Sequence, residues 1–144
     1  MMSNFVERLD YLLKEQELNQ KTFAEKVGIS EGSISFYLQD KHIPTVAHLV
    51  KIADYFQCST DFLLGREEEN RKLTFKPCPP FCEQIVNLKN EFGGVVDRFV
   101  KKAKIARSSY FNWASSKYVP SLDNIITLAD HLDRRVDYIL GRES

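Results

Sequence analysis

Apolar residues return every third or fourth position from the start of the chain. Phe5, Leu9, Leu12 and Leu13 form one stripe, which predicts a first helix over about residues 4–17. Asn19 can cap a second helix over about 20–27, and Gly28 can take the left-handed conformation that ends it. Ile29 plugs the corner, and Ser30 caps a third helix over about 31–39. In that helix Ile34 and Leu38 are expected to turn inward, leaving Glu31, Gly32, Ser33, Ser35 and Phe36 outward. Pro44 breaks the chain and Thr45 caps a fourth helix, whose Val46, Leu49, Val50, Ala53 and Phe56 keep the helical period. Ser59 starts a short fifth helix with Phe62 and Leu63, ended by Gly65.

The pattern then comes round again. Shifted by 76 residues, Ile43-Pro44-Thr45-Val46 falls on Val119-Pro120-Ser121-Leu122. Asp61-Phe62-Leu63-Leu64-Gly65-Arg66-Glu67 falls on Asp137-Tyr138-Ile139-Leu140-Gly141-Arg142-Glu143. Residues 43–67 and 119–143 agree at 8 of 25 positions, and the register extends without a gap to Phe5 on Phe81, Leu9 on Ile85 and Leu12 on Leu88. Self-similarity of this length predicts two copies of one structural unit. The second copy is expected to have helices over about 81–92, 96–103, 107–115, 121–132 and 135–140. The fold class is therefore all-α. The expected organisation is a first domain over residues 1–67, a linker over 68–80 and a second, divergent domain over 81–144. The linker runs from charged residues, Glu68 to Lys72, into Pro77, Pro79 and Pro80, which predicts an extended and fairly stiff end. A dozen residues reach at most roughly 40 Å, enough for two units on successive turns of a duplex, about 34 Å apart.

Composition adds boundaries rather than a function. The 144 residues are 43% hydrophobic and 28% charged, ordinary for a globular chain. No apolar run spans a bilayer and no signal peptide is evident, so the expectation is a cytoplasmic protein without a membrane partner. Cys58, Cys78 and Cys82 form no paired framework, which fits a reducing compartment. Cys78 and Cys82 flank Pro79-Pro80-Phe81 with no second pair and no nearby His, an unsuitable spacing for zinc. His42, His48 and His131 are scattered, and surface positions are expected for them. No phosphate-cradling glycine loop, nucleophile–base couple or carboxylate cluster stands out, so no cofactor and no enzymatic activity are expected.

Two short helices joined at Gly28-Ile29-Ser30 have the geometry of a helix-turn-helix. Residues 5–65 resemble the phage-repressor and Cro type (XRE-like) of helix-turn-helix domain. The residues that carry the resemblance are Gln20, Phe23-Ala24-Glu25-Lys26-Val27-Gly28-Ile29-Ser30, Ile34, Lys41, Pro44 and the apolar pattern of the fourth helix. Residues 81–141 are similar but more divergent. The resemblance implies two tandem five-helix, lambda-repressor-like domains and a sequence-specific transcriptional regulator, a repressor acting on double-stranded DNA. It also implies that Gln20 bonds a phosphate. The second copy departs at Val96 in place of Gln20, Lys104 in place of Gly28 and Arg134 in place of Cys58.

In this motif the third helix enters the major groove. The expected contacts in the first copy are Ser30, Glu31, Ser33 and Phe36, with Lys41 on phosphate. Glu31 can accept from cytosine N4 and Phe36 can pack on a thymine methyl, although Phe36 with Tyr37 reads equally as core or protein interface. In the second copy they are Arg107, Ser108, Ser109 and Asn112, with Lys101, Lys102 and Lys117 around them. Arg107 suits guanine O6/N7 and Asn112 suits adenine N6/N7.

Charge separates the two copies. The chain has 20 basic and 20 acidic residues, yet residues 96–118 carry six basic residues against Asp97, a balance of +5. Residues 20–42 carry three of each sign. Phosphate neutralisation supplies much of DNA affinity, so the second copy is expected to make the stronger electrostatic contact. A second reading makes one copy a protein-interaction module that dimerises or holds a protein partner, favoured by net neutrality and Phe36.

Overall fold

The computed structural model describes residues 3–70 and 74–143. Arg71, Lys72 and Leu73 of the expected linker lie outside the described residues. The chain forms two compact units, Met1–Phe75 and Lys76–Ser144. Every element among the described residues is a helix, a turn or an irregular connection.

Unit 1 contains α1 (Ser3–Glu15), α2 (Gln20–Val27), α3 (Glu31–Leu38), α4 (Val46–Phe56) and α5 (Thr60–Leu63). Unit 2 contains α6 (Phe81–Glu91), α7 (Val96–Ala103), α8 (Arg107–Ala114), α9 (Leu122–Leu132) and α10 (Val136–Leu140). The caps explain the starts in unit 1. Asn19 accepts from the Thr22 N–H, Ser30 from Ser33, Thr45 from His48 and Ser59 from Phe62. Each such bond satisfies an otherwise orphaned donor and contributes about 1 kcal/mol. In unit 2 Ser121 and Asn124 form a reciprocal capping box at α9. By contrast, Val95, Ala106 and Arg135 precede α7, α8 and α10 with no side-chain cap bond.

The core of unit 1 comes from all five helices. Phe5, Leu9 and Leu12 of α1, Phe23 of α2, Ile34 of α3, Leu49 and Ile52 of α4 and Leu63 of α5 are all buried. Phe23 stacks on Phe56 with ring centres 5.3 Å apart. One expectation for α3 changes. Ile34 is buried as expected, but its inward partner is Tyr37, while Leu38 is only half-buried. The Tyr37 ring meets Phe5 edge-on, and its hydroxyl lies 2.6 Å from His48 Nδ1. A buried phenol needs such a partner, and the partner takes His48 off the free surface where the sequence reading put it.

Unit 2 uses the same kinds of side chain. Ile85, Phe99, Ile125, Leu128, Val136 and Ile139 are buried, and Trp113 meets Phe81 edge-on at 6.1 Å. Its closing helix is held by an ion pair inside the core. Arg142 is 1% exposed, Asp137 is fully buried, and Arg142 Nη1 donates to Asp137 Oδ1 at 2.5 Å. In the matching pair of unit 1, Arg66 Nε donates to Asp61 Oδ1 at 3.2 Å, with the arginine side chain 27% exposed. Gly141 stands at φ 81°, and a Cβ there would lie 2.6 Å from Pro79 Cδ. Only glycine fits that position.

Candidate nucleic-acid interface

α2 and α3 meet at a tight corner. Gly28 adopts φ 75°, its N–H bonds the Ala24 carbonyl, and the Ile29 N–H bonds the same carbonyl. The left-handed residue turns the chain, buried Ile29 fills the angle, and Ser30 starts α3. In unit 2 Lys104 holds the equivalent left-handed conformation, φ 56°, and the Ile105 N–H bonds Val100 in the same way. The turn thus tolerates a side chain at this position. An L-residue there carries a steric cost of about 1 kcal/mol.

The outward face of α3 is polar apart from Phe36. Gln20, Ser30, Glu31 and Lys41 are exposed, and Ser33 is half-buried. The Ser30 hydroxyl donates to Ser33 Oγ at 2.9 Å, so these two residues are tied to each other as well as to the cap. Phe36 is 43% exposed, with its ring 5.0 Å from that of His42. It lies outside the core, unlike its neighbour Tyr37.

The α7–α8 face is basic. Arg98, Lys101, Lys102, Lys104, Arg107, Ser108 and Lys117 are exposed, while Ser109 and Asn112 are half-buried. Not all these cations point freely outward. Lys102 Nζ lies 5.4 Å from the Phe92 ring centre and Lys117 Nζ 5.5 Å from that of Tyr118. Arg107 Nη1 donates to Asp97 Oδ1, and the guanidinium carbon lies 5.2 Å from the Phe111 ring centre. The sequence reading missed this Asp97–Arg107 couple. It also missed the exposure of Phe111, whose ring lies under Arg107, and of Tyr118 and Val119; the three are 46%, 58% and 85% exposed. In the 76-residue shift Asp97 and Arg107 fall on Lys21 and Glu31, also of opposite charge, but that alignment carries no signal that the side chains meet.

Elsewhere, His131 Nδ1 lies 2.9 Å from the Ala103 carbonyl, tying α9 to the end of α7. Arg134, which stands where unit 1 has buried Cys58, is exposed and lies over the Phe92 and Tyr138 rings. Among the described residues no cluster of His, Cys, Asp and Glu is arranged to hold a metal ion. No described helix is long and apolar enough to cross a membrane.

These features define a helix-turn-helix domain in unit 1, and the comparisons agree: residues 9–63 match the helix-turn-helix family. The chain is 38% identical over 53 residues to the HTH-type transcriptional regulator ImmR of Bacillus subtilis, covering 37% of this chain and 42% of that protein. It is 38% identical over 72 residues to the cryptic phage CTXphi transcriptional repressor RstR of Vibrio cholerae, covering 49% and 64%. It is 33% identical over 61 residues to the uncharacterized HTH-type transcriptional regulator YobD of B. subtilis, covering 42% and 54%. The chain thus spans about half the length of the curated relatives it matches. No solved structure matches it. All three relatives carry the name of a regulator or repressor of transcription.

Proposed function

We propose that this chain is a sequence-specific regulator of transcription, a repressor, that places α3 and α8 in the major groove of duplex DNA. The observation that carries the reading is the capped α2–turn–α3 corner, with the polar outward face of Glu31, Ser33 and exposed Phe36. The helix-turn-helix match and the regulators it resembles support the same function. Unit 2 is a divergent second copy in this account. Support comes from α7, α8 and α9, whose bounds repeat those of α2, α3 and α4 at the 76-residue shift, and from the same left-handed turn at Gly28 and Lys104. Gln20, Ser30, Glu31, Ser33, Phe36 and Lys41 are the proposed contacts of the first copy. Those of the second are Lys101, Lys102, Arg107, Ser108, Ser109, Asn112 and Lys117. Two linked modules of modest strength gain affinity through effective concentration, without any new contact.

Selection of duplexes from a random pool by the full chain tests this reading. A recovered consensus, bound less well after Arg107→Ala with Lys101→Ala, supports it. Recovery of no consensus, or indifference to that double change, refutes it. A second reading, in which an outward face holds a protein or a second copy of this chain, draws on exposed Phe36, Phe111, Tyr118 and Val119. It predicts concentration-dependent association that Phe36→Ser or Phe111→Ser abolishes without any change in DNA binding.

A further inference from the structure

Arg107 opens α8, and Asp97 is the second residue of α7. The two side chains bond across the turn, yet both stay largely in water, at 59% and 81% exposed. An ion pair this wet contributes little to folding. Helix electrostatics do not favour Arg107 either. A cation in the first turn of α8 meets the positive end of the helix dipole, whereas Asp97 is well placed at the start of α7. The couple is therefore poorly explained by stability. At the corresponding positions unit 1 carries Lys21 and Glu31, again opposite charges, with the signs exchanged. Lys21 and Glu31 are exposed, and each lies in the first turn of its helix.

We infer that the exchange of charge at these positions makes the units read opposite members of a G·C pair at the same docking position. The inference rests on the major-groove reading above. The first residue of the outward helix faces the base edges, and in unit 2 Asp97 on the preceding helix is the counter-charge that steadies Arg107 in the free protein. Arg107 donates to guanine O6 and N7, the two acceptors that match a guanidinium fork. Glu31 accepts from cytosine N4 and has no donor for guanine. The two half-sites are then not copies of each other. One carries guanine where the other carries cytosine on the corresponding strand. Asp97 acts as a positioning residue, since it works through Arg107.

The test exchanges the charges in the full chain and reads base preference against single-base variants of the selected duplex. Arg107→Glu alone leaves two acids facing each other and DNA, and should weaken all duplexes by about tenfold or more. Adding Asp97→Lys should recover most of that affinity and turn one position of the unit 2 half-site from guanine to cytosine, with other positions unchanged. The reciprocal pair, Lys21→Asp with Glu31→Arg, should turn cytosine to guanine in the other half-site. Circular dichroism matching the parent chain establishes that each variant is folded. A double variant that still prefers guanine, or recovers nothing relative to Arg107→Glu, overturns the inference while leaving the DNA-binding reading intact. A parent chain that selects no duplex overturns both.

Discussion

The Arg142–Asp137 pair gives a sharp quantitative test of how unit 2 holds its last helix. Arg142→Ala removes a guanidinium that is 1% exposed and leaves the fully buried Asp137 carboxylate behind. Breaking a buried pair on one side costs about 3–5 kcal/mol, because the remaining charge has lost its compensation. Arg135 Nη2 lies 3.5 Å from Asp137 Oδ2 and retains some of that compensation, which favours the lower end, about 3 kcal/mol. A unit of this size has on the order of 5 kcal/mol of stability, so the substitution removes most of it. Trp113 is the sole tryptophan of the chain and is buried in unit 2, so its fluorescence reports that unit alone. With a urea dependence of about 1 kcal/mol per molar, the midpoint should fall by roughly 3 M. Arg66→Ala lies in unit 1 and should leave the Trp113 transition where it was. Replacing the couple by apolar residues, Asp137→Leu with Arg142→Met, should be milder than Arg142→Ala. A midpoint shift under about 0.5 M for Arg142→Ala would refute the reasoning, since buried charge would then not be the controlling term.

Three further outcomes are expected. Burial, with a smaller contribution from Lys51, lowers the pKa of His48 below its ordinary value of 6.5. The unfolded chain then binds more protons than the folded one just below that value, so unit 1 should lose stability as pH falls from about 7 toward 5. His48→Gln should flatten that loss in denaturant melts followed by tyrosine fluorescence, and an unchanged pH dependence would contradict the assignment. Lys104→Gly relieves a left-handed L-residue at φ 56° and should raise the Trp113 unfolding midpoint by about 1 kcal/mol equivalent; a lower midpoint would count against strain at the turn. On the proposed DNA face, Asn112→Ala should relax preference at one base pair by about 1–3 kcal/mol, while Lys102→Ala should weaken all sequences alike. Equal effects of the two changes on a panel of single-base variants would remove Asn112 as a reader.

Much of the fold was legible because its causes are local. Asn19, Ser30, Thr45 and Ser59 cap the helices they precede, and the helical period of α4 lies in the residues themselves. The choice between Tyr37 and Leu38 as the inward residue of α3 was not legible. It turns on His48, eleven residues further on, which supplies the hydroxyl's partner at 2.6 Å. Identity also failed to convey environment. Asp61/Arg66 and Asp137/Arg142 are the same residues at the same spacing in similar local sequence, yet one arginine reaches water and the other does not. At the candidate interface the basic face of α7 and α8 was visible as charge, and its residues are exposed. The Asp97–Arg107 bond was not, because it joins two helices across a turn and depends on where each side chain swings.

The most direct test of the account measures affinity of the full chain for its selected duplex across a salt series. The basic face of unit 2 predicts that the logarithm of affinity falls linearly with the logarithm of salt, with a slope near −0.9 for each phosphate contact and about four to six contacts in all. Lys101→Ala should reduce that slope by about one. Affinity that is indifferent to salt, or a slope that Lys101→Ala does not alter, would contradict the placement of the α7–α8 face against DNA.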